Sequence, residues 1–423
     1  MAADRDVRGP CLSRRRLLAL TSAVAAALAF GQSGSAQSPA SGTSPSPSAP
    51  ADPTKVQGVP ISHLGQRSPF VHLERTFADN PTRTASWSLT PLQDLNGIIT
   101  PSGLHFERHH AGVPTIDPAK HRLLIHGLVD RPMEYTVEDI KRFPSSTRIM
   151  FLECSGNSLD GWGTPKPDAT AQSLHGLAST GEWTGVPVST LLKEVGVKPE
   201  AKWALAEGAD AAMMDRSIPI EKLMSDAFIA YGQNGEDIRP EQDFPMRLML
   251  PGWEGNANIK WLRRMKFGTS PWMTREETSK YTDVMPDGTA RQFTFPMEAK
   301  SLITWPSGGQ VVPDLGQWEV TGMAWSGRGK IQKVEISTDN GQTWQQAQLQ
   351  DPVLPISFTR FRYLWTWNGD EVVLMSRATD ETGYVQPTKQ QLVAVRGTQS
   401  VYHYNGIQPW RVGKDGRVTN AST

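Results

Sequence analysis

Apolar and polar residues follow three different rhythms along the chain. An unbroken apolar run at residues 19–30 follows Arg14-Arg15-Arg16-Leu17-Leu18, and residues 37–55 are then dominated by Ser, Pro, Ala, Thr and Gly. That composition offers too little apolar surface to offset the cost of ordering it, which predicts a disordered linker. Pro60, Pro69, Pro81 and Pro91 punctuate the next stretch, so residues 56–101 are expected to wrap irregularly over the domain that follows. Short periodic segments then alternate. Residues 122–126 read as a strand, and residues 136–143 as a helix capped by Thr136 and ended by Pro144. Met150-Phe151-Leu152 reads as a buried strand running into Glu153-Cys154-Ser155-Gly156-Asn157-Ser158. Trp183-Thr184-Gly185-Val186-Pro187 leads into a helix over Val188–Val195, and residues 244–262 predict a strand, a loop rich in Gly and Asn, and a returning strand that carries Lys260. Strands alternating with short helices indicate a mixed α/β domain.

Beyond a linker at residues 269–295 the rhythm changes again. Residues 318–325, 331–337, 344–349, 361–368, 372–378 and 391–395 all read as strands separated by turn residues. Asp339-Asn340-Gly341 marks a hairpin, because Asn-Gly takes the positive φ values that a tight turn demands. Such spacing predicts a β-sandwich of immunoglobulin-like type, here without a cysteine for an inter-sheet disulfide. The expected fold class is therefore α+β. Residues 1–36 form an export signal, 37–55 a linker, 56–270 a mixed α/β domain, 290–400 the sandwich and 401–423 a C-terminal tail.

With 38% hydrophobic and 20% charged residues in 423, the composition is that of a globular protein of two or three domains. The run at residues 19–30 is shorter than the roughly 20 residues of a membrane-spanning helix. Preceded by paired arginines and followed by Gly34-Ser35-Ala36, it fits a cleaved twin-arginine signal and predicts a periplasmic protein. Removing its five arginines and two aspartates leaves 38 basic against 41 acidic side chains, a balance that favours neither nucleic acid nor an anionic membrane. Cys11 leaves with the signal, so Cys154 is the sole mature cysteine. A lone thiol in an oxidising compartment is an inert buried hydrophobe, a metal ligand or a nucleophile, and the residues around it leave these open.

Two basic stretches offer it a partner. In Phe106-Glu107-Arg108-His109-His110 the alternate residues Phe106, Arg108 and His110 share one face of a strand, an arrangement suited to gripping an oxyanion. Surface ion pairs or loop-capping histidines are the plainer readings. A zinc site from His105, His109 and His110 is a third, although their spacing matches no standard zinc motif. In the second stretch, Arg247 and Lys260 flank Gly252-Trp253-Glu254-Gly255-Asn256-Ala257-Asn258-Ile259, a loop with backbone N–H groups to offer an anion.

Together with Cys154-Ser155-Gly156-Asn157, these stretches resemble the sulfite oxidase family of molybdopterin enzymes over roughly residues 95–397. Ile98-Ile99-Thr100-Pro101-Ser102-Gly103-Leu104-His105, Gly252-Trp253-Glu254-Gly255-Asn256 and Met297-Glu298-Ala299-Lys300-Ser301 look closer still to the molybdenum subunit of the sulfane dehydrogenase of bacterial thiosulfate-oxidising systems. The resemblance implies a molybdopterin-binding catalytic domain followed by an immunoglobulin-like dimerisation domain. It also implies that the Cys154 thiolate is a molybdenum ligand, as suits a soft donor. Cofactor contacts fall on Phe106, Arg108, His109, His110, Arg247, Asn258, Ile259 and Lys260, and Arg108 also faces substrate.

Two positions depart from the family pattern. Gln242 stands where sulfite oxidases have a histidine, and their active-site tyrosine falls at Asp215 or Met214, with no tyrosine near Ser217-Ile218-Pro219. The expectation is oxidation of sulfane sulfur held on a carrier protein. The alternatives are a sulfite dehydrogenase and a non-catalytic exported binding protein. The sequence contains no Cys-x-x-Cys-His, so it attaches no c-type haem and a cytochrome c partner is expected, in a homodimer or heterotetramer.

Overall fold

The computed structural model describes residues 57–77 and 82–422, so the export signal and linker expected over residues 1–55 lie outside the described residues. Two units are distinguished, Met1–Ser68 and Pro69–Thr423; within the first, residues 57–68 carry no helix or strand.

In the second unit the Ser146–Glu153 strand occupies a sheet edge whose inner half is sealed, Met150, Phe151 and Leu152 all being buried. It pairs antiparallel with Ala178–Pro187, which places Glu153 opposite Ala178. Phe228–Gln233, with Arg247–Met249 and Glu236–Asp237 beside it, completes that sheet. A second sheet runs in the order Met133–Thr136, Arg122–Gly127, Leu262–Gly268, Trp203–Gly208, Asp215–Pro219. Helices Val137–Arg142, Val188–Val195 and Ile220–Ser225 bury Ile140, Leu191, Leu192 and Leu223 against Leu123, Ile125, Ile229 and Leu248 of the sheets. Thr136 caps the first helix reciprocally with Asp139, each side chain bonding the other's backbone N–H at 3.0 Å.

The sandwich packs Lys300–Trp305, Gly316–Trp325, Thr359–Trp367 and Gln348–Leu349 against Gln345–Gln346, Ile331–Ser337, Val372–Asp380, Pro409–Val412 and Val418–Asn420. Asn340 and Gly341 take φ of 58° and 82°, as the hairpin signal requires. Several expectations need correction. Residues 391–395 are part of a helix, Lys389–Arg396, because Thr388 and Gln391 form a capping box that overrides the apolar pattern. The sheet is instead closed by Pro409–Val412 and Val418–Asn420, from the stretch expected as a tail. Residues 344–349 split at buried Ala347 into two short strands, one for each sheet. The strand expected over 244–250 shrinks to Arg247–Met249, and Lys260 sits in the loop, since Trp261 at φ 48° delays the returning strand until Leu262.

The mixed domain and the sandwich share a core. Phe151, Leu92, Leu104 and Leu174 belong to the same buried cluster as Val320, Trp325, Phe361 and Trp410. Residues 87–101 strap both parts, with Thr90 N–H on the Gly176 carbonyl, Thr100 N–H on the Thr180 carbonyl, and the Arg360 guanidinium on the Leu95 and Gly97 carbonyls. A buried ion pair completes the join: Glu153 meets Lys300 of the sandwich, both nearly without solvent contact. Trp325 Nε1 donates to the second Glu153 oxygen at 2.7 Å and Asn157 Nδ2 to the first at 2.9 Å. Removing one partner strands a buried charge, so Lys300→Met is expected to lower unfolding stability by about 3–5 kcal/mol. Urea titration checks this, and a loss below about 1 kcal/mol contradicts it.

Candidate active site

Cys154 is fixed from three sides. Its N–H donates to the Leu177 carbonyl at 2.9 Å and its carbonyl accepts from Asn157 N–H at 2.8 Å. Asn256 Nδ2 reaches Ser155 Oγ at 2.8 Å, and His403 N–H reaches the Ser155 carbonyl at 2.8 Å. The loop bearing Asn256 comes so close that a Cβ on Gly255 would stand 2.9 Å from the Glu153 carbonyl oxygen and 3.3 Å from Cys154 Cα, which only glycine allows. Burial pushes the Cys154 thiol pKa up, while the Gly156 N–H and the Arg108 guanidinium favour the thiolate.

The thiol opens on a cleft of about 60 Å³. Eight of the nine residues expected at the site line it: Phe106, Arg108, His110, Cys154, Arg247, Asn258, Ile259 and Lys260. His109 does not; it stands behind the wall, with Nε2 2.9 Å from Glu107 and Nδ1 2.8 Å from Lys260 Nζ. The three neighbouring histidines do not converge, and among the described residues no group of three or more His, Cys, Asp or Glu side chains is placed to hold a metal ion. The alternation expected for residues 106–110 is regular only over Glu107–Arg108, where Arg108 pairs with Trp87 and lays its guanidinium 5.8 Å from that indole.

Cations dominate the lining. Lys260 Nζ bonds the Arg108 carbonyl at 2.6 Å and lies 4.4 Å from the Trp261 ring centre; burial brings its pKa down to about 8. Arg247 contacts Asp243 at 2.8 Å, and burial raises that carboxyl to about 6 against the pull of the guanidinium. His105 and His110 are driven down to about 3, chiefly by burial, and are therefore neutral imidazoles. Gln242 fills the place of the family histidine with a positioning role: its Nε2 donates to the Phe106 carbonyl at 2.9 Å and steadies the Arg108 segment.

Several buried polar atoms on this lining have no hydrogen-bond partner among the described residues: His105 Nε2, His110 Nδ1, Arg247 Nε and Asn256 Oδ1. Such atoms are costly unless a ligand meets them. Guanidinium and ammonium groups, neutral imidazoles and a thiol together suit an anionic, polar-edged cofactor whose metal takes a sulfur ligand, and the residues present fit a molybdopterin.

Beyond Cys154 a broader basin of about 520 Å³ is lined by Trp87, Leu159, Arg275, Lys280, Val401 and Tyr402, and it shares Arg108, His110, Cys154 and Tyr281 with the cleft. Sequence reasoning missed Tyr281, because it lies in the stretch read as a linker. Met214, at the expected tyrosine position, lines only the cleft. Also missed was a buried charge network next to Cys154. Arg216 lies between Glu254 at 3.1 Å and Glu277 at 2.8 Å, and His403 bridges Glu254 at 3.0 Å and Asp283 at 2.9 Å. Only the Trp253-Glu254-Gly255 run hinted at it.

The chain matches the "Oxidoreductase molybdopterin binding domain" over residues 110–275 and the "Mo-co oxidoreductase dimerisation domain" over residues 291–409. A chain of the sulfane dehydrogenase SoxCD from Paracoccus pantotrophus superimposes with a TM-score of 0.81 and 44% identity, covering 87% of this chain and 97% of that one. The chain belongs to the sulfite oxidase family of molybdopterin oxidoreductases. Sulfite oxidase from Gallus gallus is 29% identical over 69% of this chain and 68% of its own length. NADH nitrate reductase from Solanum lycopersicum is 31% identical over 70% of this chain, which spans only 37% of that relative. Within the family fold, the mixed domain and the immunoglobulin-like sandwich described above are the cofactor-binding and dimerisation domains.

The histidine beside the centre carries a pH dependence. Burial alone would lower the His403 pKa, but hydrogen bonds to Asp283 and Glu254 outweigh it and hold the pKa above the ordinary value near 6.5. Its stabilising contribution is thus complete below about pH 6.5 and is lost as pH rises through the raised folded value. His403→Gln is expected to cost about 1–3 kcal/mol at pH 5.5 and clearly less at pH 9. Unfolding titrations at the two pH values read the difference, and a pH-independent cost would contradict the charged state.

Proposed function

We propose that this chain oxidises sulfane sulfur presented on a carrier protein and passes the electrons one at a time to a c-type cytochrome. The observation that carries the reading is the 44% identity to the sulfane dehydrogenase chain over nearly its whole length, joined to a basin too broad for a small free anion alone. Leu159 and Val401 give that basin an exposed apolar rim suited to a polypeptide arm, while Arg108 and Lys280 supply positive charge for its sulfur anion. Chicken sulfite oxidase, at lower identity, supports free sulfite as the second reading.

In this reading Cys154 is the protein's ligand to molybdenum. Arg247, Lys260, His105 and His110 hold the pterin's charged and polar edges, and Arg108 orients substrate beside the thiolate. When bound, the cofactor supplies the two-electron oxidation and oxygen transfer. Chain residues set its orientation and keep the imidazoles uncharged, so that positive charge is concentrated at the two arginines and the lysine. No Cys-x-x-Cys-His occurs in the sequence, hence the haem belongs to a partner. The sandwich pairs two copies or completes a heterotetramer with the cytochrome. The arginine-led signal at residues 1–36 directs the folded enzyme to the periplasm.

Steady-state assay of the purified enzyme with carrier-bound sulfane sulfur and cytochrome c tests the reading. Turnover is expected with the carrier-bound substrate and little with free sulfite; undiminished activity on sulfite alone would establish the second reading instead. Cys154→Ser is expected to keep its fold by circular dichroism and to lose activity by at least about 100-fold, in line with removal of a metal ligand. Full activity in that variant contradicts the ligand role.

A further inference from the structure

We infer that Asp243 is an internal counter-ion: it holds Arg247 ready for the cofactor's anionic edge and takes up a proton from solvent when that edge arrives, so that cofactor retention is linked to pH. Asp243 is fully buried and is not itself part of the cleft lining, whereas Arg247 is; Asp243 Oδ2 stands 2.8 Å from Arg247 Nη1. Neither carboxylate oxygen has a partner in hydrogen-bonding geometry among the described residues, so the contact with Arg247 is one of charge. A buried ion pair is favourable in its own right only when further hydrogen bonds satisfy its lone pairs, and here they do not. The backbone adds a second cost. Asp243 lies at φ 88°, a left-handed conformation that recurs at functional sites and that Asp and Asn enter more readily than most residues. Arg247 is also incompletely bonded: Nη2 donates to the Asn258 carbonyl at 3.3 Å, and Nε has no partner among the described residues.

The charges around the carboxyl set the sign of the linkage. Burial raises its pKa to about 6; Arg247 and Lys260 pull the other way, and Asp210 and Glu241 add to the rise. An anion brought to Arg247 and Lys260 draws on the same two cations and places a further negative charge near the carboxylate, which raises that pKa again. Below about pH 6 Asp243 is therefore already neutral, and the guanidinium is free for the cofactor. Above it, binding must take up as much as one proton, and retention weakens as pH rises, by no more than about tenfold per pH unit. Lys260, at about 8, loses its charge at higher pH, and His105 and His110, at about 3, stay neutral throughout. Between pH 5.5 and 7.5 the change at the cleft thus belongs to Asp243.

The inference rests on cofactor binding, common to the family, and is independent of which sulfur compound is oxidised. Purified holoenzyme is held below its unfolding transition, followed by circular dichroism, at the temperature where the natural protein loses half its molybdenum in an hour at pH 7.5. Loss of molybdenum and pterin is then followed at pH 5.5 and 7.5 by metal analysis and pterin fluorescence. Two variants accompany the natural protein. Asp243→Asn keeps a neutral acceptor beside Arg247, and Asp243→Gly accepts the left-handed backbone but leaves the guanidinium unheld. The natural protein is expected to lose its cofactor about three- to tenfold more slowly at pH 5.5 than at pH 7.5. Asp243→Asn should differ by less than about twofold between the two pH values and should outlast the natural protein at pH 7.5. Asp243→Gly should be equally insensitive to pH but faster than Asp243→Asn at both. Equal rates at the two pH values in the natural protein overturn the inference, as does loss only upon unfolding. An undiminished pH dependence in Asp243→Asn also overturns it. Faster loss from Asp243→Asn than from the natural protein at pH 7.5 would reduce Asp243 to a plain salt bridge.

Discussion

Glu153 is the constraint on which the rest depends. Its carboxylate is fully buried one residue before the thiol, and an ionised carboxylate in that position survives only with full compensation. Lys300 and Trp325 come from the sandwich and Asn157 from the turn after Cys154, so one side chain fixes the domain join and the start of the cysteine loop together. Lys300 also reaches Ser158 Oγ at 3.2 Å, which lies 2.6 Å from His175 Nδ1, extending the same network across the loop's far end. The sandwich is therefore part of what holds the thiol, besides bearing the family's dimerisation domain.

A second consequence of burial shapes the cleft. Lys260 is held by a carbonyl and an imidazole, and among the described residues the salt bridge at Arg247 is to Asp243 alone. Cations held mainly by neutral groups retain their field, where full carboxylate pairing would cancel it. The cost appears in the lowered Lys260 pKa. An anionic ligand offsets that cost, which is why an arrangement unfavourable by itself is coherent as a cofactor site.

Legibility in the sequence followed the range of the interactions. Helix Val188–Val195, the capped helix after Thr136, the strand into Cys154 and the Asn-Gly hairpin are local, and the chain announces them. The cleft residues were legible through three motifs, each compact in sequence. His109 belongs to the motif but not to the cleft lining, because its imidazole is taken up between Glu107 and Lys260. The helix at Lys389–Arg396 was read as a strand because its apolar residues were weighed and its Thr388–Gln391 capping box was not. Glu153–Lys300 and Glu254–His403 join residues about 150 positions apart, and no local pattern shows which residue meets which.

The least legible segment controls the most. Residues 269–295 look like spacer, yet Glu277, Tyr281, Asp283 and Phe295 within them are buried. Glu277 neutralises Arg216 and accepts the Ser217 N–H at 2.9 Å, Asp283 holds His403 and Arg396, and Phe295 stacks on Trp253 at 4.1 Å. Through Arg216, His403 and Trp253 these contacts tie the segment to groups beside the cysteine loop and the Gly255 turn. A segment clamped at so many points cannot swing as a free tether. Its path fixes where Tyr281 stands relative to Cys154, and so the wall past which any substrate must come.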